Sequence, residues 1–363
     1  MENKKSKNSI FSIVSPILFP LLAIVVALLV SVFFVMWAKS YSILQFFDGF
    51  SDLTSTVWKG SFGSEMSTMN TLFYTTPLIF TGIANAVAFK TGLFNIGTEG
   101  QFIIGMITAA VVGQITGLPA IIHLPLIFLS GMLLGGIWAG IPGYIKAKTG
   151  TSEVINTIMM NYIALYLTDY IIRRTPLGIA KKASTPMIAE SARLARFIDK
   201  YQANVGIIIG VVIAIFIAWL LWKTVIGYEL RSVGMNRFGA EYGGINVKKN
   251  IVLAMALSGV IAALGGVIHV TGGKFYMDDM TNLPGYGFTG MAVALLAKSN
   301  PIGCLFSALL FGALNSSAKT LQLNGIPKEI VSLIQGVVII FIATDYIVKY
   351  INDKKKKEAM IHE

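Results

Sequence analysis

The sequence predicts an all-α polytopic membrane protein of about ten transmembrane segments, and three observations carry that prediction. Apolar residues make up 55% of the 363 residues and charged residues only 13%, against about 25% charged in a typical soluble domain. The mean hydropathy of +0.70 is concentrated in runs long enough to cross roughly 30 Å of hydrocarbon. Lys and Arg gather between those runs and at the two ends, where they set membrane orientation. That placement accounts for the net charge of +11 without a nucleic-acid partner.

In order, the runs fall at 16–38, 70–89, 95–116, 121–145, 153–172, 205–226, 251–270, 285–298, 301–321 and 329–348. The first follows Lys4, Lys5 and Lys7. A secretory signal also begins basic, but this run is longer than a signal core and has no small-residue cleavage site after it, so it reads as a retained span. The eighth run is short and bracketed by Gly and Pro (Pro284, Gly285, Gly287, then Pro301). It reads as a broken or re-entrant helix, which is tolerated only where protein or a cavity shields the backbone. Two interrupted segments in the two halves point to an inverted repeat with a site between them.

Residues 1–15 and 351–363 read as cytoplasmic tails, the second basic with Lys354 to Lys357, around one transmembrane domain at 16–350. Lys146 and Lys148 place loop 146–152 inside, and Arg231, Arg237, Lys248 and Lys249 do the same for 227–250. Loop 39–69, with Asp48, Asp52 and Glu65, suits the outside. Loop 173–204 breaks the rule: it carries Arg173, Arg174, Lys181, Lys182, Arg193, Arg196 and Lys200, yet the ten-span count puts it outside. Residues 191–198 have the pattern of a short amphipathic helix on the membrane surface.

No chemistry-bearing constellation is evident. Cys304 is the single cysteine, and His123, His269 and His362 are scattered. Gly273-Lys274 is followed by Phe275, which is not a phosphate loop. No metal or cofactor is expected, and any ATP hydrolysis belongs to another chain.

Four polar or glycine-rich stretches interrupt the apolar pattern. In 94–102, Asn95, Glu99 and Gln101 sit between apolar runs, with Gly97 and Gly100 favouring a helix break. Glu99 at membrane depth marks either a functional site or a helix N-terminal cap. In 151–157, Thr151 or Ser152 could cap the next helix, and Asn156 and Asn161 could bond between helices or to a polar solute. Loop 227–245 can form short helices separated by glycines; Leu230, Val233, Phe238 and Ile245 give it apolar groups that a docking partner would cover. The fourth stretch, 283–297, contains Phe288. Small residues also recur at four-residue spacing (Gly131 with Gly135, Gly136 with Gly140, and Ser258, Ala262 and Gly266), which reads as helix packing.

In order and spacing, these motifs resemble one family. They are Asn95-Ile96-Gly97-Thr98-Glu99-Gly100-Gln101; Glu153-Val154-Ile155-Asn156-Thr157 with Asn161-Tyr162; Leu230-Arg231-Ser232-Val233-Gly234-Met235-Asn236 with Gly244-Ile245; and Gly285-Tyr286-Gly287-Phe288 with Ala292-Val293-Ala294. From about residue 70 to the last span the chain resembles the permeases of branched-chain amino acid and simple-sugar ABC importers. Within them it is most similar to nucleoside-importer permeases that work with Bmp-type lipoproteins. The resemblance implies a many-helix, inverted-repeat permease in the bacterial cytoplasmic membrane. It further implies three partners: an ABC ATPase, a second related permease and a substrate-binding lipoprotein, which loop 173–204 could contact. Asn95, Glu99, Gln101, Asn156, Asn161 and Phe288 become candidates for the solute pathway. Glu229, Leu230, Arg231, Gly234, Asn236, Gly244 and Ile245, within a coupling loop at about 228–247, become candidates for the ATPase contact. A simple-sugar permease shares the fold, and a secondary transporter with Glu99 as an ion site is the rival reading.

Overall fold

The computed structural model describes residues 22–341. The expected tails 1–15 and 351–363, and the parts of the first and last spans at 16–21 and 342–348, lie outside the described residues. The described chain is helical, with only isolated β-bridges and no strand. Helices at Glu65–Lys90, Ala120–Thr149, Gly206–Lys223, Val247–Gly272 and Pro301–Leu323 are long and apolar enough to cross a membrane. The protein is therefore an all-α polytopic membrane protein.

By packing, the chain divides into two compact units. One contains the described residues up to Gly63 and from Ser317 onward. Here α1 (Leu22–Ala38) meets α2 (Phe46–Ser61) where Gly49 lies against Met36 and Val32. Asp52 ties the pair by accepting bonds from Lys39 and Tyr41, both at 2.7 Å. The polar loop expected at 39–69 is thus largely helical. Gly49, Leu53, Thr56 and Gly60 form its buried stripe at helical spacing. Phe47 and Trp58 stand exposed on it, as aromatics do at membrane interfaces.

The second unit runs from Ser64 to Ser316. It contains α3 (Glu65–Lys90), α4 (Thr98–Val112), α5 (Ala120–Thr149), α6 (Glu153–Arg174), α7 (Gly206–Lys223), α8 (Val225–Met235), α9 (Arg237–Tyr242), α10 (Val247–Gly272) and α11 (Tyr286–Leu296). The first part of α12 (Pro301–Leu323) follows, and α13 (Glu329–Phe341) belongs to the first unit. Helix α10 is the hub, packing on α3, α4 and α5. Gly131, Gly135 and Gly136 on α5 and Gly266 on α10 serve this packing, while Gly140 lies open. A Cβ at Gly266 would stand 2.0 Å from the Phe102 carbonyl oxygen, and one at Gly135 would stand 2.2 Å from Ala263 Cβ. Cys304 is packed and buried.

Two apolar helices of the second unit, α4 and α11, are too short to span. At 1.5 Å per residue, the 15 residues of α4 and the 11 of α11 extend about 22 Å and about 16 Å, against roughly 30 Å of hydrocarbon. Each follows a non-helical approach, 91–97 and 273–285.

Loop 175–205 contains no helix at 191–198, only a 3₁₀ turn at Glu190–Ala192. The segment is held by distant groups instead: the Leu194 amide donates to the Thr271 carbonyl of α10 at 2.9 Å, and just before it the Thr185 and Ile188 amides donate to the Met277 and Phe275 carbonyls in the approach to α11 at 2.9 and 2.8 Å. Arg193 and Arg196 lie over the Phe275 ring, at 4.9 and 4.1 Å from its centroid. Those tertiary bonds satisfy the backbone more completely than a lone surface helix of two turns could.

Candidate functional site

The polar residues of 94–102 build a junction between the two short helices. Gly285, at φ +86°, turns the chain into α11 in a conformation that favours glycine. The Glu99 carboxyl receives that turn. Oε1 accepts the Gly285 N–H at 2.5 Å, and Oε2 accepts those of Gly287 at 2.5 Å and Phe288 at 3.3 Å. Glu99 is itself in the first turn of α4 and fully buried. The positive ends of two helix dipoles therefore meet at one carboxyl group. Gly287 permits the approach, because a Cβ there would stand 2.3 Å from the Glu99 amide nitrogen. Of the two readings of Glu99, the helix-capping geometry is present, and the helix it caps is α11.

The amides hold the other side of the break. Asn95 and Gln101 exchange bonds at 3.1 and 3.2 Å, and Asn95 Oδ1 also accepts the Gly97 amide at 3.0 Å. Asn95 Nδ2 donates to Ser258 Oγ at 2.9 Å, and Ser258 donates on to the Ala84 carbonyl at 2.8 Å. Asn161 Oδ1 accepts the Gly100 N–H at 2.8 Å, one of the amides that α4 leaves unpaired at its start. Its Nδ2 donates to the Ile96 carbonyl at 3.0 Å. Gly100 lies inside α4 rather than at the break, because a Cβ there would come 2.9 Å from Asn161 Cα. Asn85 joins the same network from α3, donating to Thr98 Oγ1 at 3.2 Å and to the Gly287 carbonyl at 3.4 Å.

The side chains of the remaining pathway candidates stand apart from this network, although the Phe288 amide joins it through Glu99. Asn156 Nδ2 is buried with no hydrogen-bond partner among the described residues. Phe288 is partly exposed on α11. At the start of α6, Ser152 makes no side-chain cap. Glu153 pairs instead with Lys146 at 2.9 Å and accepts the Phe94 N–H at 3.3 Å.

Loop 227–245 folds as α8 and α9, divided at Asn236, whose side chain accepts the Gly239 N–H at 3.1 Å; no glycine separates them. Leu230 and Val233 are buried within the chain. Glu229 accepts from Asn250 at 2.9 Å, Arg231 donates to the Leu221 carbonyl at 2.9 Å, and Gly234 packs on the end of α3. Gly244 takes φ +83° after α9 and lies open, and the Ile245 amide closes the turn onto the Ala240 carbonyl at 3.0 Å. The apolar groups left bare are Met235, Phe238 and Tyr242, at 87%, 85% and 97% exposure. Phe238 and Tyr242, four residues apart on α9, share a face, and that spacing was their sequence signal.

Comparison with known proteins places this architecture. Residues 67–343 match the family described as branched-chain amino acid transport system / permease component. The guanosine ABC transporter permease protein NupP of Bacillus subtilis is 37% identical over 95% of this chain and 98% of its own length. The nucleoside ABC transporter permease protein NupB of Lactococcus lactis is 36% identical over 94% of both chains. The glucose ABC transporter permease protein TsgB13 of Haloferax volcanii is 30% identical over 77% of both. No solved structure matches. With the family match running from the first turn of α3 past the last described helix, the chain belongs to the permease family described as branched-chain amino acid transport system / permease component, and it is a transport subunit rather than an enzyme.

Proposed function

We propose that this chain is a permease subunit of an ATP-driven importer that carries nucleosides across the bacterial cytoplasmic membrane by alternating access. A permease of an ABC system works with an ATPase and a substrate-binding protein. The observation that carries the substrate class is end-to-end similarity to permeases named for guanosine and for nucleosides, each over more than nine-tenths of both chains. A simple-sugar solute is the second reading, favoured by the glucose permease among the relatives.

The Glu99 junction supports an inverted-repeat pathway: two half-helices end against each other inside the protein, and such breaks are where importers and transporters place their sites. Asn95, Glu99, Gln101 and Asn161 hold that break in one geometry, while Asn156 and Phe288 keep groups free for solute. Solute shifts the access equilibrium only as far as it binds one state better than the other. On the cytoplasmic side α8 and α9 dock the ATPase, with Phe238, Met235 and Tyr242 as anchors and Glu229, Leu230, Arg231, Gly234, Asn236, Gly244 and Ile245 shaping the element. Outside, the exposed Arg174, Lys181, Lys182 and Lys200 form the face for a lipoprotein. A second, related permease completes the pathway, and both termini are cytoplasmic.

Affinity purification of the tagged chain from native membranes in mild detergent, with partners identified by mass spectrometry, tests this assembly. Recovery of an ATPase, a second permease and a lipoprotein supports it. Recovery of the folded chain alone contradicts it.

A further inference from the structure

Four rings from four helices meet about one turn beyond Glu99. His269 on α10 stacks on Phe73 of α3, with centroids 5.2 Å apart and planes 29° apart. It also contacts Tyr286 of α11 at 5.2 Å and Phe102 of α4 at 5.7 Å. Phe102 and Tyr286 close the set at 5.2 Å. His269 Nδ1 is buried and has no hydrogen-bond partner among the described residues, which costs free energy unless something else supplies a partner.

Beside this ring cluster lies a cavity of about 200 Å³, bordered by His269, Met106, Tyr276, Met277 and Met280. The Lys274–Asp278 ion pair, 2.6 Å and about half exposed, stands on the same wall. Pro284 also lines it, immediately before the glycine whose amide Glu99 holds. The cavity is at the end of α10 opposite α8 and α9. The unpaired imidazole nitrogen and the adjoining void together leave both a polar atom and space for a ligand group.

We propose that this cavity receives the heterocyclic base of the transported solute, with His269 reading the base edge and Tyr276, the other ring in the lining, supplying the stack. The inference rests on the nucleoside reading above. The volume is below the roughly 300–1,000 Å³ of pockets that enclose a whole drug-sized ligand. It suits a flat heterocycle, with the sugar left beside Lys274 and Asp278. Methionine walls adapt to rings of different outline, so purines and pyrimidines can share one site. Because Pro284 lines the cavity and directly precedes the glycine that Glu99 holds, any movement of that cap moves a wall of the base site. That links occupancy to the two half-helices.

The test uses the complete importer reconstituted in proteoliposomes with its ATPase, partner permease and binding protein. ATP-driven uptake of tritiated guanosine, adenosine, cytidine, uridine and D-ribose is compared for the wild type and His269→Phe, which keeps a ring but loses the nitrogens. The expected result is a rise of tenfold or more in the KM for at least one nucleoside, a flattened preference among bases and a maximal rate changed far less. Unchanged KM and base preference, with nucleoside uptake intact in the wild type, overturns the base site and leaves the nucleoside reading standing. Wild-type uptake of D-ribose without any nucleoside overturns both. If His269→Phe does not assemble, photolabelling of the wild-type complex with 8-azidoadenosine decides. Label on peptides carrying Phe102, Met106 or Tyr286 supports the site, and label confined to other parts of the complex overturns it.

Discussion

Removing the Glu99 carboxyl should unlatch α11 from α4. In Glu99→Ala, the Gly285 and Gly287 amides each lose a 2.5 Å bond inside the protein, and the Phe288 amide loses a longer one. A buried donor left unpaired costs about 1–3 kcal/mol, so the two short bonds alone put the loss at about 2–6 kcal/mol. Glu99→Gln keeps one acceptor oxygen and turns an amide nitrogen toward an N–H, which places its cost near half of that range, about 1–3 kcal/mol. The chain supplies its own reporter, because Cys304 is its single cysteine and is buried. The rate of Cys304 labelling by a thiol-reactive fluorophore in detergent follows the population of opened molecules. A loss of about 2 kcal/mol raises that population roughly thirtyfold. Labelling should therefore accelerate about thirtyfold or more in Glu99→Ala and by less in Glu99→Gln. Labelling of Glu99→Ala at the wild-type rate would refute the claim that this carboxyl holds the junction.

Further predictions follow from packing, docking and charge. Gly135→Ala should destabilise the α5–α10 contact by about 1–3 kcal/mol, since its Cβ would stand 2.2 Å from Ala263 Cβ. Gly140→Ala, with nothing within 4 Å, should be neutral or slightly stabilising; melting of the two purified variants separates them. Phe238→Asp should leave folding intact, because the ring is almost fully exposed, yet abolish recovery of the ATPase in co-purification. The Asp52 carboxyl is held below its ordinary range by hydrogen bonds from Lys39 and then Tyr41. Its contribution is therefore present above the unfolded carboxylate range near about 4 and is lost as pH falls through the lower folded value. The pair is partly exposed, so Asp52→Asn should cost under about 1 kcal/mol at neutral pH and nothing at strongly acidic pH, as melting at the two pH values would show.

The five long apolar helices were legible because an apolar run of membrane length is too long for most soluble cores and matches the hydrocarbon thickness, and the bracketing Gly and Pro residues marked α11 as short, whereas the run at 95–116 yielded only the 15 residues of α4. Helix α2 was hidden because its buried stripe is made of Gly49, Leu53, Thr56 and Gly60, a pattern of small residues rather than a hydrophobic one. The surface helix expected at 191–198 followed a local period, but Leu194 and Arg196 bond to the carbonyls of Thr271, Gly272 and Gly273, and no local pattern encodes partners so distant. Glu99 was conspicuous as a membrane-depth carboxyl, while its partner amides lie 186 to 189 residues away and only the fold identifies them. Leu230 and Val233 suggested a docking surface, but only the packing of α8 shows that they face inward and that Phe238 faces out. His269 carries no signal of its own as a single histidine in an apolar run; its meaning comes from three rings on three other helices.

The central claim, ATP-driven import of nucleosides, is tested most directly by solute uptake into proteoliposomes containing the complete complex. The measurement is tritiated guanosine uptake with and without ATP, with and without an imposed proton or sodium gradient, and in competition with unlabelled nucleosides or D-ribose. The account predicts uptake that requires ATP, ignores the gradients and is competed by nucleosides but not by ribose. Uptake driven by an ion gradient without ATP, or competed by ribose alone, would contradict it.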